Sequence, residues 1–314
     1  MTEASFPVAP ARRRHPRAGY AMAVGAATLW GINGTVSKVI LASGLSSLRL
    51  AEVRTAGALA GLVLVLLAVD PRRLRVRARE LPFLALFGVA GLAFVQWLYF
   101  LAIHRLAIGI ALLIEYLAPL LVALWARYAF HEPVRRRIWL ALALAILGLA
   151  LIVDVRHGGT VSTAGLVFAL LSAVAYTLYV LLAERGVGDR DAVSLLAWGF
   201  AFATVLWSVL APWWSFPAAV AGADVSLLGH LASWHAPVWG LMAVMVVAGT
   251  IVPFFLLVSA LRHLSATRVA IVAMLEPVVA TVVAWAWLDE SLGAAQLAGA
   301  LVVLGAIGLA QTAR

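Results

Sequence analysis

Long apolar runs broken by short polar interruptions dominate the chain. Ten of them lie at approximately 19–41, 49–69, 81–103, 108–130, 138–155, 164–183, 193–214, 236–260, 266–288 and 292–311. Each is close to the roughly 20 residues that an α-helix needs to span the ~30 Å hydrocarbon core of a bilayer. Connections are short, apart from an arginine-rich one at 70–80 and a tryptophan-bearing one at about 215–235. The pattern predicts an all-α polytopic membrane protein with ten transmembrane helices.

The runs repeat. A shift of 158 residues lays "YFLAIHRLAIGIALLIEYLAPLLVALWARYAFHE" (99–132) over "LVSALRHLSATRVAIVAMLEPVVATVVAWAWLDE" (257–290). Identities between apolar segments carry little weight by themselves, but Pro119 falls on Pro277 in mid-helix and Glu132 falls on Glu290 at the acidic end. A shift of 146 pairs "GYAMAVGAATLWGIN" (19–33) with "GLVFALLSAVAYTLY" (165–179), and the 12-residue difference fits the longer connection after the seventh run. The chain therefore divides into a basic tail (1–18), a first repeat (19–155) and a second repeat (156–314). Five helices per repeat is an odd number, so the second repeat enters the membrane from the opposite face. Such inverted repeats favour a substrate site near the midplane, reached alternately from either side.

Composition agrees: 64% of residues are hydrophobic, 12% are charged, and the mean hydropathy is +1.03. The absence of cysteine excludes disulfides, thiolate metal sites and cysteine catalysis. The net charge of +9 sits in clusters between the apolar runs, which points to membrane topology and away from nucleic acid. With the N-terminus in the cytoplasm, the inner segments take Arg12, Arg13, Arg14 and Arg17, the Arg72–Arg79 group, the Arg135–Arg137 group, Arg185, Arg190, Arg262 and Arg314. The outer segments take only Arg49, Arg105 and Arg156. Both termini are expected on the cytoplasmic side of the inner membrane. The charged start "ARRRHPR" resembles a signal peptide, but the apolar stretch after it is too long, so it reads as a retained first helix. Trp213, Trp214, Trp234 and Trp239 flank the long outer loop and suit interfacial anchoring.

Ionisable side chains within the membrane usually face a cavity or a partner. Glu115 lies about seven residues into the fourth helix, and Pro119 cannot donate to the carbonyl of that same residue. In the second repeat Pro277 frees the carbonyl of Ala273, and Glu276 lies on the same face. This arrangement suits a polar cavity at the repeat interface; the plainer alternative is a kink solvated by a neighbouring helix. Lys38, at the outer end of the first helix, and Arg54, about one and a half turns into the second from the same side, are candidate counter-charges. Snorkelling to the interface is the competing explanation for Lys38 and more strongly for Arg49. Trp30 and Asn33 in "WGING", with Gln96 in mid-helix, are further lining candidates, and the two glycines permit a bend or a close backbone approach. Trp97, Tyr99, Tyr116, Tyr176 and Tyr179 are aromatic candidates, each equally readable as packing. Glu132, Asp289 and Glu290 mark helix ends, where solvation is the default. No HExxH, GxSxG or phosphate-binding loop occurs, so neither an enzyme nor a metal or cofactor site is expected.

At "LWGINGTVSKVIL", Arg54, "IALLIEYLAPLLVALW…HE" and "RVAIVAMLEPVVATVVAWAWLDESLGAAQLAGALVVLGAIGLA", the sequence resembles the ten-helix drug/metabolite transporter superfamily of EamA type. The "LIEYLAPLLVAL" and "MLEPVVA" segments look most like its amino-acid exporter branch, which includes threonine/homoserine exporters. Where that family often has glycine before the helix-end glutamate, this chain has His131 and Asp289. The resemblance implies export of small metabolites, commonly by proton exchange. Substrate, protons and the lipid bilayer are then the expected partners. Glu115 and Glu276 become proton or substrate-amine sites, with Arg54 or Lys38 as counter-charge. A broad-specificity drug or lipid-like exporter and a non-transporting scaffold or sensor are the alternatives.

Overall fold

The computed structural model describes residues 15–129, 136–153, 162–260, 263–264, 272–273 and 275–312. Among them the ten expected runs appear as ten helical spans. These are α1 (Pro16–Ala42), α2 (Ser47–Val69), α3 (Leu81–Leu86, Phe87–Ala93, Phe94–Ile103), α4a and α4b (Ile108–Glu115, Ala118–Ala129), and α5 (Arg136–Val153). The second repeat supplies α6 (Thr163–Asp189), α7 (Ala192–Leu210), α8 (Val238–Val246, Val247–Ile251, Val252–Ala260), α9 (Leu275–Leu288) and α10 (Ala294–Thr312). Five stretches are by themselves long and apolar enough to cross a membrane: Ser47–Val69, Ala78–Ile103, Thr163–Ala183, Ala192–Leu210 and Val238–Leu257.

Local chemistry explains the boundaries. Pro16 opens α1, where its missing N–H has no helical partner to lose. Ser46 caps α2 by accepting from the Arg49 N–H, and Asp191, before the repeat-related α7, accepts from the Ser194 N–H. The middle segments of α3 (Phe87–Ala93) and α8 (Val247–Ile251) are π-helical. These helices occupy equivalent places in the two repeats, so the widened turn is duplicated. Between α2 and α3 the carboxylate of Glu80 accepts a 2.6 Å bond from Arg190, which also donates to the carbonyls of Arg73 and Arg75.

The repeats interlock. α1 packs against α8 and α9, while its counterpart α6 packs against α3 and α4. α2 packs against α7, and α5 against α10, so each of these contacts joins equivalent helices of opposite repeats. "WGING" makes the close approach without a bend, since α1 is continuous through it. A Cβ at Gly31 would lie 2.9 Å from Val279 of α9, and one at Gly34 would lie 2.7 Å from Ile108 of α4. Side chains larger than hydrogen would force α1 away from the helices that wall the cavity described below.

The outward surface carries large apolar residues, Leu64 at 66% and Val209 at 72% exposure among them, while Glu52, Arg54, Gln96 and Glu115 are buried. This reverses the arrangement of a soluble protein and matches a chain solvated by lipid. The loop between α7 and α8 adds two short strands that an all-helical reading omits. β1 (Asp224–Ser226) pairs antiparallel with β2 (His235–Pro237), Val225 opposite Ala236. Trp213, Trp214, Trp234 and Trp239 are all exposed around this loop.

Candidate functional site

A cavity of about 300 Å³ lies between the repeats. Trp30 and Asn33 reach it from α1, Arg54 from α2, Gln96 and Tyr99 from α3, and Glu115 and Tyr116 from the broken α4. The second repeat contributes Tyr176 and Tyr179 from α6, Phe254 and Leu257 from α8, and Ala273 and Glu276 from the α9 region. The proline pattern accounts for part of this. The helix stops at Glu115 and resumes at Ala118, because Pro119 offers no N–H to the Glu115 carbonyl. The Leu117 N–H turns to Ile114 instead, and Leu120 and Leu121 both donate to the Leu117 carbonyl. Pro277 lies in the described part of α9, Leu275–Leu288, and residues 272–273 before it are helical too. Residue 274, needed to trace the turn before it, lies outside the described residues.

Both carboxylates are held by hydroxyl groups from the opposite repeat. Ser172 of α6 donates to Oε2 of Glu115 and also lies 3.3 Å from the Val95 carbonyl. Tyr116 donates to Oε2 of Glu276 at 2.6 Å, so the residue after the helix break in one repeat ties down the glutamate of the other. The rings continue from Tyr116 to Tyr176 (6.4 Å between centroids) and on to Tyr179, stacked at 5.7 Å. Across the cavity Trp30 and Phe254 meet edge to face at 5.2 Å.

The cation is fixed by the π turn of α8. Arg54 donates from Nε to the Thr250 hydroxyl at 3.0 Å and from Nη2 to the Gly249 carbonyl at 3.3 Å, with its guanidinium over the Phe100 ring. A widened turn exposes a carbonyl that an ideal helix would bond internally, and Arg54 supplies the donor. Oδ1 of Asn33 and Oε1 of Gln96 are buried with no hydrogen-bond partner among the described residues.

Two cations depart from the expectation of snorkelling. Lys38 is not among the residues lining the cavity. Its ammonium contacts Oε1 of Glu290 at 2.5 Å and donates to the Leu106 carbonyl at 3.0 Å, while Oε2 of Glu290 accepts from the Ile108 N–H. Glu290 is therefore a joint between α1, the start of α4 and the α9–α10 connection, and not a solvated helix end. Its neighbour Asp289 adopts the left-handed backbone (φ 61°) at that connection. Arg49 turns inward because the end of α7 needs donors: it reaches the Ala211 and Pro212 carbonyls and pairs with the fully buried Glu52 at 2.6 Å. Glu132 lies outside the described residues. Trp97 packs against Trp207 and Phe94, away from the cavity.

Sequence reasoning missed Ser172, Thr250, Phe254 and the apolar lining at Leu92, Val95, Leu112 and Leu257. A single serine or threonine in an apolar helix satisfies its own hydroxyl on a backbone carbonyl as readily as it serves a site. Nothing local separates the two uses.

The EamA-like transporter family matches twice, over residues 17–154 and 163–311. The threonine/homoserine exporter RhtA of Escherichia coli strain K12 is 28% identical over 271 residues, covering 85% of this chain and 79% of that protein. The uncharacterized transporter YvbV of Bacillus subtilis strain 168 is 26% identical over 288 residues, 90% of this chain and 88% of its own. A solved crystal structure shares the fold, with a TM-score of 0.61 at 17% identity over 94% of this chain and 96% of that one. Two family matches, each over five helical spans and in opposite membrane orientation, place the chain in the EamA-like transporter family as a multi-pass membrane protein built from inverted repeats.

Proposed function

We propose that this chain exports amino acids or closely related small metabolites from the cytoplasm across the inner membrane, by alternating access and in exchange for protons. The observation that carries this reading is the facing of two carboxylates and one guanidinium into a single cavity between the repeats. An α-amino acid presents the complementary pair, an ammonium for a glutamate and a carboxylate for Arg54. Asn33 and Gln96 add two buried amide oxygens that have no hydrogen-bond partner among the described residues. The substrate ammonium and a proton compete for the same carboxylate: the ammonium binds only to the ionised glutamate, so its arrival displaces a proton and its release leaves the carboxylate free to take one up. That is a physical basis for exchange.

The likeness to the RhtA threonine/homoserine exporter supports export of small metabolites. The arginine distribution supports cytoplasmic termini, and with that orientation the Lys38–Glu290 joint lies towards the outer face. On this reading the joint must separate for the cavity to open outward. The aromatic lining favours a bulky apolar cargo as the second reading. The volume counts against it, being at the lower end of the ~300–1,000 Å³ usual for ligand sites. Comparing amino acids in the medium of cells overexpressing the wild type and Glu115→Gln tests the proposal. One or a few amino acids accumulate with the wild type and not with the variant. Equal accumulation with both contradicts the role of Glu115.

A further inference from the structure

The cavity holds one more negative group than a neutral amino acid requires, and both glutamates are arranged alike. Each uses Oε2 to accept from a hydroxyl, Ser172 for Glu115 and Tyr116 for Glu276. Oε1 of each has no protein hydrogen-bond donor among the described residues. Arg54 likewise commits Nε and Nη2 to the π turn of α8 and leaves Nη1 without a protein acceptor there. Glu115, Glu276 and Arg54 all line the same cavity, and each keeps one such uncommitted atom among the described residues. The surroundings of the second carboxylate are specific: Glu276 is tied to Tyr116, whose ring leads to Tyr176 and the stacked Tyr179. A carboxylate beside aromatic faces is the chemistry that recognises an ammonium, through charge pairing and cation–π attraction together.

We infer that the preferred substrate is an amino acid with a second amino group, its side-chain ammonium at Glu276, its α-ammonium at Glu115 and its carboxylate at Arg54. This deepens the amino-acid export reading and rests on it. A diamino acid matches the fixed charges without a proton: two cations meet two carboxylates and one anion meets one guanidinium. A neutral amino acid satisfies only one glutamate and must leave the other charged and unpaired or protonated. The described titratable residues that line the cavity with Glu276 are Glu115 and Tyr116 on α4, Tyr176 and Tyr179 on α6, Tyr99 on α3 and Arg54 on α2. Arg54 is the only cation among these described residues, and its carboxylate partner comes from the substrate.

Binding to the purified full-length protein in lipid nanodiscs tests this with four probes. They are L-lysine, L-norleucine (equal in chain length without the second ammonium), 1,5-diaminopentane (lacking the carboxylate) and L-threonine. Lysine is expected to bind at least tenfold more tightly than norleucine or threonine, and more tightly than the diamine. Glu276→Gln is expected to lose at least tenfold in lysine affinity. Norleucine or threonine binding as well as lysine overturns the inference and leaves amino-acid export standing. A diamine equal to lysine overturns the assignment of the carboxylate to Arg54. Binding of none of these probes, nor of any other amino acid, contradicts the export reading itself. The wild-type comparison of lysine with norleucine decides the matter even if the variant does not fold.

Discussion

A charge inside the membrane is tolerable only if its neighbours complete its coordination, and the buried residues of this chain show how differently that can be done. Arg49 and Glu52 form a closed arrangement with the Ala211 and Pro212 carbonyls, leaving nothing to bind a mobile ligand except one oxygen of Glu52. Removing one member of such a pair strands the other, at a cost of about 3–5 kcal/mol, whereas replacing both with apolar residues is often neutral. Arg49→Met is therefore expected to destabilise the protein by roughly that amount, and Arg49→Met with Glu52→Leu to recover most of it, as followed by unfolding in detergent. Glu115, Glu276 and Arg54 are the opposite case, held by some of their atoms and open at others. Their presence was legible in the sequence, because a glutamate or arginine in an apolar run stands out. Which cation was structural was not legible. Depth along its helix sets Arg54 apart from Lys38 and Arg49, but the partners, helix ends and connections for two of them and the π turn of α8 for Arg54, lie in distant segments.

At the scale of elements, the missing N–H of Pro119 is written in the sequence, and α4 is interrupted between Glu115 and Ala118. The π turns of α3 and α8 carried no such mark, because widening a turn needs no special residue, only a partner for the displaced carbonyl. In α8 that partner is Arg54, nearly 200 residues earlier in the chain. Pro119→Ala restores a donor for the Glu115 carbonyl and favours a continuous α4, which rotates Tyr116 relative to Glu276. Loss of most export at near-normal stability is the expected outcome, checked by transport assay alongside thermal unfolding of the purified variant. Full export by a Pro119→Ala protein would show that the break is only a packing feature. The short strands β1 and β2 were also missed. They lie in a loop where three-residue segments give no alternation long enough to read.

For the whole molecule the sequence showed ten spans and a duplication, because hydrophobic length and a repeated proline are properties of single helices. How the two halves embrace, with α1 against α8 and α9 and α6 against α3 and α4, is a relation between distant segments and became visible only in the fold. Alternating access requires contacts of this kind to break on one side at a time. Lys38 and Glu290 bridge the repeats about two turns along α4 from Glu115, through the Ile108 N–H. The chain has no cysteine, so a Lys38→Cys, Glu290→Cys pair can be joined without background. Transport should stop on cross-linking and return on reduction. The most direct measurement of the cavity's role is amino-acid efflux from proteoliposomes loaded with an amino-acid mixture, with and without an imposed pH gradient, for the wild type and Glu115→Gln. Selective efflux that responds to the gradient in the wild type, and falls at least tenfold in the variant, is the expected result. Efflux of equal rate and equal pH response in both would contradict a transport site at this cavity.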